Sequence, residues 1–148
     1  MELMELKKYL DQIVDLKMAM FREAGRIHLL ADDAREIVKR TYQQMYEEDK
    51  ASHFLEFDRN EIIAMAGVFI KEDLPYCYYK GHAYGFIGDV YVRPDFRKRG
   101  IATLLSQSCL DWFRKKNITV VRLLSTEAAK PVYEKMGFKP TDEMMLNL

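Results

Sequence analysis

Cysteine is scarce in this chain, with two residues in 148, Cys77 and Cys109. Two cysteines build no disulfide framework, and their spacing fits no metal pattern, so neither staples nor a metal is expected. A reducing cytoplasm is the natural compartment for such a chain. Net charge is lacking as well: 23 Lys and Arg balance 23 Asp and Glu, which argues against a nucleic-acid partner. No apolar run approaches the roughly 20 residues that cross a bilayer, so no membrane partner is expected. The opening Met1–Lys8 stretch is too charged for a signal peptide. Repeats, low-complexity tracts and linkers are missing too, and the length of 148 residues implies one domain over 1–148.

Apolar residues make up 49% and charged residues 31%, a globular balance that can bury a core without cross-links. Leu6, Tyr9, Leu10, Ile13, Val14, Met20, Phe21 and Ala24 recur at helical spacing and predict a helix over 6–24, closed by Gly25. A second helix is predicted over 32–48, with Asp32 or Asp33 as cap. Strands at 53–57 and 61–71 flank the turn Asp58-Arg59-Asn60, and the near-continuous apolar run of the second reads as a central strand. An aromatic-rich connection follows at 73–82, then a strand at 83–92. Ile101, Leu104, Leu105, Ser108, Cys109, Trp112 and Phe113 share one face of the next helix, which gives Cys109 a place in the core. A strand at 118–124, a short helix at 127–136 ended by Gly137, and a last strand over Met144–Leu148 complete the series. The fold class is α/β (α+β): a central mixed sheet of about six strands flanked by four helices on both faces.

The segment Tyr91–Thr103 carries the sharpest signal. It reads as strand end, tight turn and helix start, with Arg97, Lys98 and Arg99 where the helix begins. Cations there oppose the helix dipole, by roughly 0.3–1 kcal/mol each when exposed. An anion bound at that point would reverse the sign, since free N–H groups and three positive side chains would face it.

Three features stand in fixed order: Arg97-Lys-Arg-Gly-Ile-Ala102 after a strand, a further strand, and Pro131-Val-Tyr-Glu-Lys-Met-Gly-Phe138 on a short helix. Over about 83–140 this resembles the GNAT superfamily of N-acetyltransferases, at Arg97, Gly100, Ala102, Tyr133, Glu134, Lys135, Gly137 and Phe138. The resemblance implies acetyl-CoA as co-substrate, without a metal. It implies that N–H groups from Arg99 through Gly100, Ile101 and Ala102 to Thr103 cradle the pyrophosphate, with Arg97, Lys98 and Arg99 adding charge-assisted contacts. Gly100 removes the Cβ that would block the anion. It implies that Val90, Tyr91 and Val92 pair with the pantetheine arm as an added strand, and that one of their N–H groups meets the thioester carbonyl. Relatives often hold an Asn seven residues before the tyrosine; Thr126 stands there instead, with a shorter donor.

Tyr133 is the expected catalytic acid, giving a proton to the departing thiolate; the other reading is a core aromatic. Asp89 has two readings, a base or amine ligand and a structural polar group. Glu23 has two as well, a group on the acceptor side and a solvated helix-end charge. Gly88 marks either a bulge or a close approach of another backbone. His28, His53 and His82 read as structural, and Phe138 as core. Tyr78, Tyr79 and Tyr84 either line an acceptor pocket or simply pack. No Cys/His pair is evident, so direct attack by the amine in a ternary complex is expected. The expected acceptor is a small-molecule amine. The alternatives are a peptide N-terminus, or an acyl-CoA-binding module that has lost catalysis. A homodimer through the sheet edge or the last strand is a family-level expectation.

Overall fold

The computed structural model describes residues 1–148. In chain order the elements are α1 (Leu3–Lys8), α2 (Leu10–Glu23), α3 (Ala34–Glu47), β1 (Ala51–Asp58), β2 (Glu61–Glu72), β3 (Ala83–Val92), α4 (Ile101–Lys115), β4 (Val121–Leu123) and α5 (Lys130–Lys135). Short 3₁₀ turns lie at Ile27–Leu29 and Pro94–Phe96. The sheet runs β1-β2-β3-β4, with antiparallel pairs up to β3 and a parallel pair between β3 and β4.

The apolar run of β2 becomes an inner strand covered on both faces. Met65 and Phe69 point into a core shared with α1, α2 and α3, where Leu6, Leu10, Ile13 and Val14 are buried. Ala64, Ala66 and Val68 point the other way, against Leu105, Cys109 and Phe113 of α4. The small side chains on the second face let α4 lie close. Gly85 continues this: a Cβ there would sit 2.6 Å from the Phe113 ring. Gly85→Ala is therefore expected to destabilise the fold by about 1–3 kcal/mol through overpacking, read as a lower urea midpoint with an unchanged m-value.

Four of the five helix ends follow one rule. After α2, Gly25 takes a left-handed φ of 68°, with Gly25 N–H bonded to Arg22 O and Arg26 N–H to Phe21 O. That paired closure is the Schellman motif. Asp49, Asn117 and Gly137 close α3, α4 and α5 in the same way. At the last of these, Phe138 N–H bonds to Tyr133 O, which brings the two rings to 5.8 Å, edge to face. The Gly-Phe pair thus fixes where Tyr133 stands, and Phe138 packs on the α4 core as expected.

Several expectations need correction. The sheet has four strands rather than about six. The 73–82 connection stays a connection, as expected, with one Tyr76–Tyr79 bridge. Residues 144–148 form no strand and lie exposed; a single side-chain contact, Arg122 to Glu143 at 3.0 Å, ties this end to β4. The predicted strand at 118–124 shrinks to three residues because only Gly85, Phe86 and Ile87 pair with it. The first of the four expected helices is interrupted at Tyr9. On α4, Leu104 is 70% exposed, and Ser106 rather than Ser108 joins the fully buried stripe. No helix is long and apolar enough to cross a membrane.

Candidate active site

The site begins with a break in the sheet. Met65 pairs with Tyr91 and Gly67 with Gly88, so Asp89 and Val90 together face Ala66. This is a β-bulge. Its extra residue is Asp89, in the left-handed region at φ 54°, which Asp tolerates better than most side chains. Gly88 lies beside the bulge, as the first reading has it; a Cβ there would meet the Phe69 ring at 3.2 Å, so its near neighbour is a side chain and not a second backbone.

Beyond the bulge β3 and β4 part. Their pairing stops at Ile87 and Leu123, and a cleft of about 620 Å³ opens. Val90, Tyr91 and Val92 line one side of it, Thr126, Ala129, Val132 and Tyr133 the other, and Arg97, Lys98 and the first turn of α4 its end. Arg93 N–H bonds back to Ile63 O of β2, so strand alternation turns the N–H groups of Val90 and Val92 to the cleft side.

At the end of the cleft, Gly100 caps α4 in the left-handed conformation at φ 78°, with no side-chain cap. Leu104 N–H takes Gly100 O, which leaves Ile101, Ala102 and Thr103 N–H groups without intrahelical partners. Lys98, itself at φ 61°, makes no ion pair. The other two cations are engaged. Arg97 Nε donates to Val92 O at 2.8 Å, its guanidinium pairs with Glu23 at 2.5 Å, and it lies over the Tyr91 ring. Arg99 donates to Asp95 O at 3.0 Å. Glu23 is the carboxylate that lines this cleft. Its Oε2 also accepts from the Tyr91 hydroxyl at 3.0 Å, and the Arg97 hydrogen bond holds its pKa below the usual carboxylate range.

Tyr133 is 9% exposed and faces the cleft from α5. Burial pushes its phenol pKa up; the nearby Ser106 hydroxyl offsets part of the rise, and Cys109 adds to it. Ser106 nevertheless meets no partner at hydrogen-bond geometry. Thr126 Oγ1 accepts from Ala129 N–H at 3.3 Å and so starts the turn into α5, leaving its own proton to donate. Cys109 is buried, its thiol pushed up to about 12 by desolvation, which removes it as a nucleophile at neutral pH.

Asp89 does not line the cleft. It is 5% exposed and both oxygens are taken: Lys17 Nζ donates to Oδ1 at 2.5 Å, the Tyr42 hydroxyl donates to Oδ2, and His53 Nε2 lies 3.0 Å from Oδ2. Tyr46 Oη lies 2.6 Å from His53 Nδ1. A neutral imidazole satisfies both contacts, with Tyr46 donating to Nδ1 and Nε2–H donating to Asp89. Burial alone would raise the Asp89 pKa; the His53 hydrogen bond and the Lys17 charge outweigh it and hold it far below the usual carboxylate range. Burial raises the Tyr42 and Tyr46 phenols. Gly67 leaves room for the imidazole, since a Cβ there would stand 2.8 Å from His53 Nε2.

Sequence reasoning had treated His53 as structural but missed its link to Asp89, and it missed Lys17, Tyr42 and Ser106 altogether. One signal was available: Lys17 stands inside the apolar stripe of its helix, between Ile13, Val14 and Phe21. Tyr78, Tyr79 and Tyr84 lie outside the cleft, where Tyr79 packs on Tyr84 and Tyr76. His28 and His82 are outside it too.

The acetyltransferase (GNAT) family model matches residues 10–138. Over 65 residues the chain is 37% identical to glucosamine 6-phosphate N-acetyltransferase of Trypanosoma brucei brucei; the match spans 44% of each, less than half the length of that curated relative. Among solved structures, the fold superposes on a GCN5-related N-acetyltransferase from Ralstonia eutropha with a TM-score of 0.86 and 26% identity, covering 97% of this chain and 94% of that one. A predicted acetyltransferase of Clostridium acetobutylicum, solved with acetyl-CoA, gives a TM-score of 0.85 at 24% identity, covering 95% and 91%.

Proposed function

Because the chain belongs to the acetyltransferase (GNAT) family and is thus an acyltransferase, we propose that it transfers an acetyl group from acetyl-CoA to a primary amine of a small molecule. The observation that carries this reading is the cleft itself: two splayed strands end at a helix start whose Ile101, Ala102 and Thr103 N–H groups have no partner. A pyrophosphate suits those donors, with Lys98 as its free cation, while Arg97, at the same end of the cleft, orders the loop through Val92 O and Glu23. An extended amide-bearing arm suits the cleft-side N–H groups of Val90 and Val92, with the Thr126 hydroxyl opposite. Acetyl-CoA supplies the activated acyl group. One of the β3 N–H groups stabilises the oxyanion, and Tyr133 protonates the departing sulfur.

Asp89 in this reading anchors the bulge that aims those N–H groups, its carboxylate being committed elsewhere. Glu23, ionised beside Arg97 and bonded to the Tyr91 hydroxyl, orders the β3 wall of the cleft on the acceptor side. The name of the trypanosomal relative favours a small acceptor over a peptide.

Two measurements test the proposal. Coenzyme A at about 100 times its Kd should add about 2.7 kcal/mol of stability and raise Tm by several degrees. Acetyl-CoA incubated with panels of amines, amino acids and peptides should release free thiol with a small amine. No thermal shift with coenzyme A would sink the reading; thiol release with peptides alone would move the acceptor to that class.

A further inference from the structure

We infer that Ser106 is the positioning residue for Tyr133, its hydroxyl donating a hydrogen bond to the phenol oxygen as the phenol gives up its proton. The inference deepens the acyl-transfer reading and rests on it. Three observations support it. Ser106 is 1% exposed, and its Oγ has no partner, although buried hydroxyls are ordinarily satisfied. A helical serine has an easy way out, bonding the carbonyl four residues back. Ser108, on the same helix, takes it with Leu104 O at 3.3 Å; Ser106 does not, so its hydroxyl is left for something outside α4. Ser106 and Tyr133 also line the same cleft, and the Ser106 hydroxyl tempers the rise of the phenol pKa.

The chemistry gives that approach a use. As the acceptor nitrogen bonds to the acyl carbon, the C–S bond breaks and its electron pair stays on sulfur. Tyr133 passes its proton to that sulfur and is left as a phenolate, which is later reprotonated by the proton the amine nitrogen sheds. A phenolate in a buried site is poorly solvated. A hydroxyl that turns to donate to its oxygen stabilises the charge as it forms and makes the phenol a stronger acid. The other groups around Tyr133 supply little of this. Cys109 on α4 is a buried thiol with a raised pKa and offers the phenolate no positive charge. Glu23, Arg97 and Lys98 stand across the cleft, with Glu23 and Arg97 neutralising each other. On the outer side, Arg122 of β4 pairs with Glu143, and Glu127, Lys130, Glu134 and Lys139 line an open groove.

The test is the pH dependence of kcat for wild type and Ser106→Ala. Tyr133 must be protonated to act, so activity falls on the alkaline side. Without the donor the phenol is a weaker acid, so the alkaline limb should move up by about one pH unit and kcat should drop about three- to tenfold. KM for acetyl-CoA should stay close to the wild-type value. A vacated space alone would lower stability or kcat without moving the limb. The same substitution on a Tyr133→Phe background should then change kcat no further. Ser106→Cys, nearly isosteric and a weak donor, should fall between wild type and Ser106→Ala. A third reading needs no catalysis: the Tyr133 phenol titration, taken as the ultraviolet difference between each protein and its Tyr133→Phe counterpart, should move upward in Ser106→Ala. An unmoved limb and titration, or an equal loss of kcat on both backgrounds, would overturn the inference. Absence of acyl transfer by the wild-type protein with any amine would strike instead at the acyl-transfer reading, and the titration alone would then decide the Ser106 contact.

Discussion

Tyr133→Phe is expected to lower the rate of acetyl transfer by about 10²–10⁴-fold, the usual contribution of a positioned acid, while leaving acetyl-CoA affinity nearly unchanged. The substitution removes one oxygen and keeps the ring. The edge-to-face contact with Phe138 survives, as does the backbone closure of α5 through Gly137 and Phe138, so the fold and the cleft should persist. What goes, on the acyl-transfer reading, is the proton offered to the departing sulfur. Burial already keeps this phenol protonated at neutral pH, the right state for an acid. Single-turnover thiol release beside calorimetric binding separates the two effects, since an interaction made only in the transition state lowers kcat and not binding. Wild-type rates in the phenylalanine variant would remove Tyr133 from the chemistry and leave it as a wall of the cleft.

The second large effect lies on the opposite face of the sheet. Asp89→Ala should destabilise the protein by about 3–5 kcal/mol, because it strands partners of a buried ion pair. Lys17, Tyr42 and His53 all lose their acceptor. The alanine would also occupy a left-handed backbone position, which adds about 1–2 kcal/mol. Asp89→Asn keeps the shape, one acceptor oxygen and the backbone, so its loss should be smaller, made up of the lost charge pairing and of an NH2 that faces a donor where an oxygen accepted. Urea unfolding measures both variants. A catalytic base without structural duty would give the reverse outcome, with stability kept and rate lost. The pH dependence follows from the direction of the shift. The Asp89 pKa is lower in the folded state than in the unfolded chain, so its stabilisation is complete above the unfolded value of about 4. It is lost as pH falls from there through the folded value. In the asparagine variant that part of the acid sensitivity should vanish.

The elements on either side of the chemistry were legible because they rest on local signals. The strand at 83–92 falls on β3 with the same limits. The turn expected at Asp58-Arg59-Asn60 joins β1 to β2, with Arg59 and Asn60 in the left-handed region. Gly25 and Gly137 end helices where a glycine was read as a stop. The nonlocal features were not legible. Nothing near residue 89 announces that Lys17, Tyr42 and His53, from three separate elements, converge on it. Charge counting at 97–99 could not reveal that Arg97 would fold back onto Val92 O and Glu23. Met144–Leu148 carries the apolar content of a strand, but pairing needs a neighbour, and β4 offers three residues and a single side-chain tie. On α4 an ideal face drawn through Leu104 was turned by the actual packing, which hid Ser106 from view.

The early end of the β3–β4 ladder has a consequence for solubility. Past Ile87 one strand of this sheet has a free hydrogen-bonding rim, the kind of rim that ordinarily invites other chains to stack and aggregate. Here the rim lies inside a cleft, with α4 at one end and the approach to α5 along the far side. A strand from another protein arrives with its own sheet behind it and is too broad to enter. A slender, flexible molecule is not. The walls therefore act as a sieve by cross-section, and the protein can carry an unprotected rim without needing the charged or proline-blocked strands that other sheets use to keep strangers away.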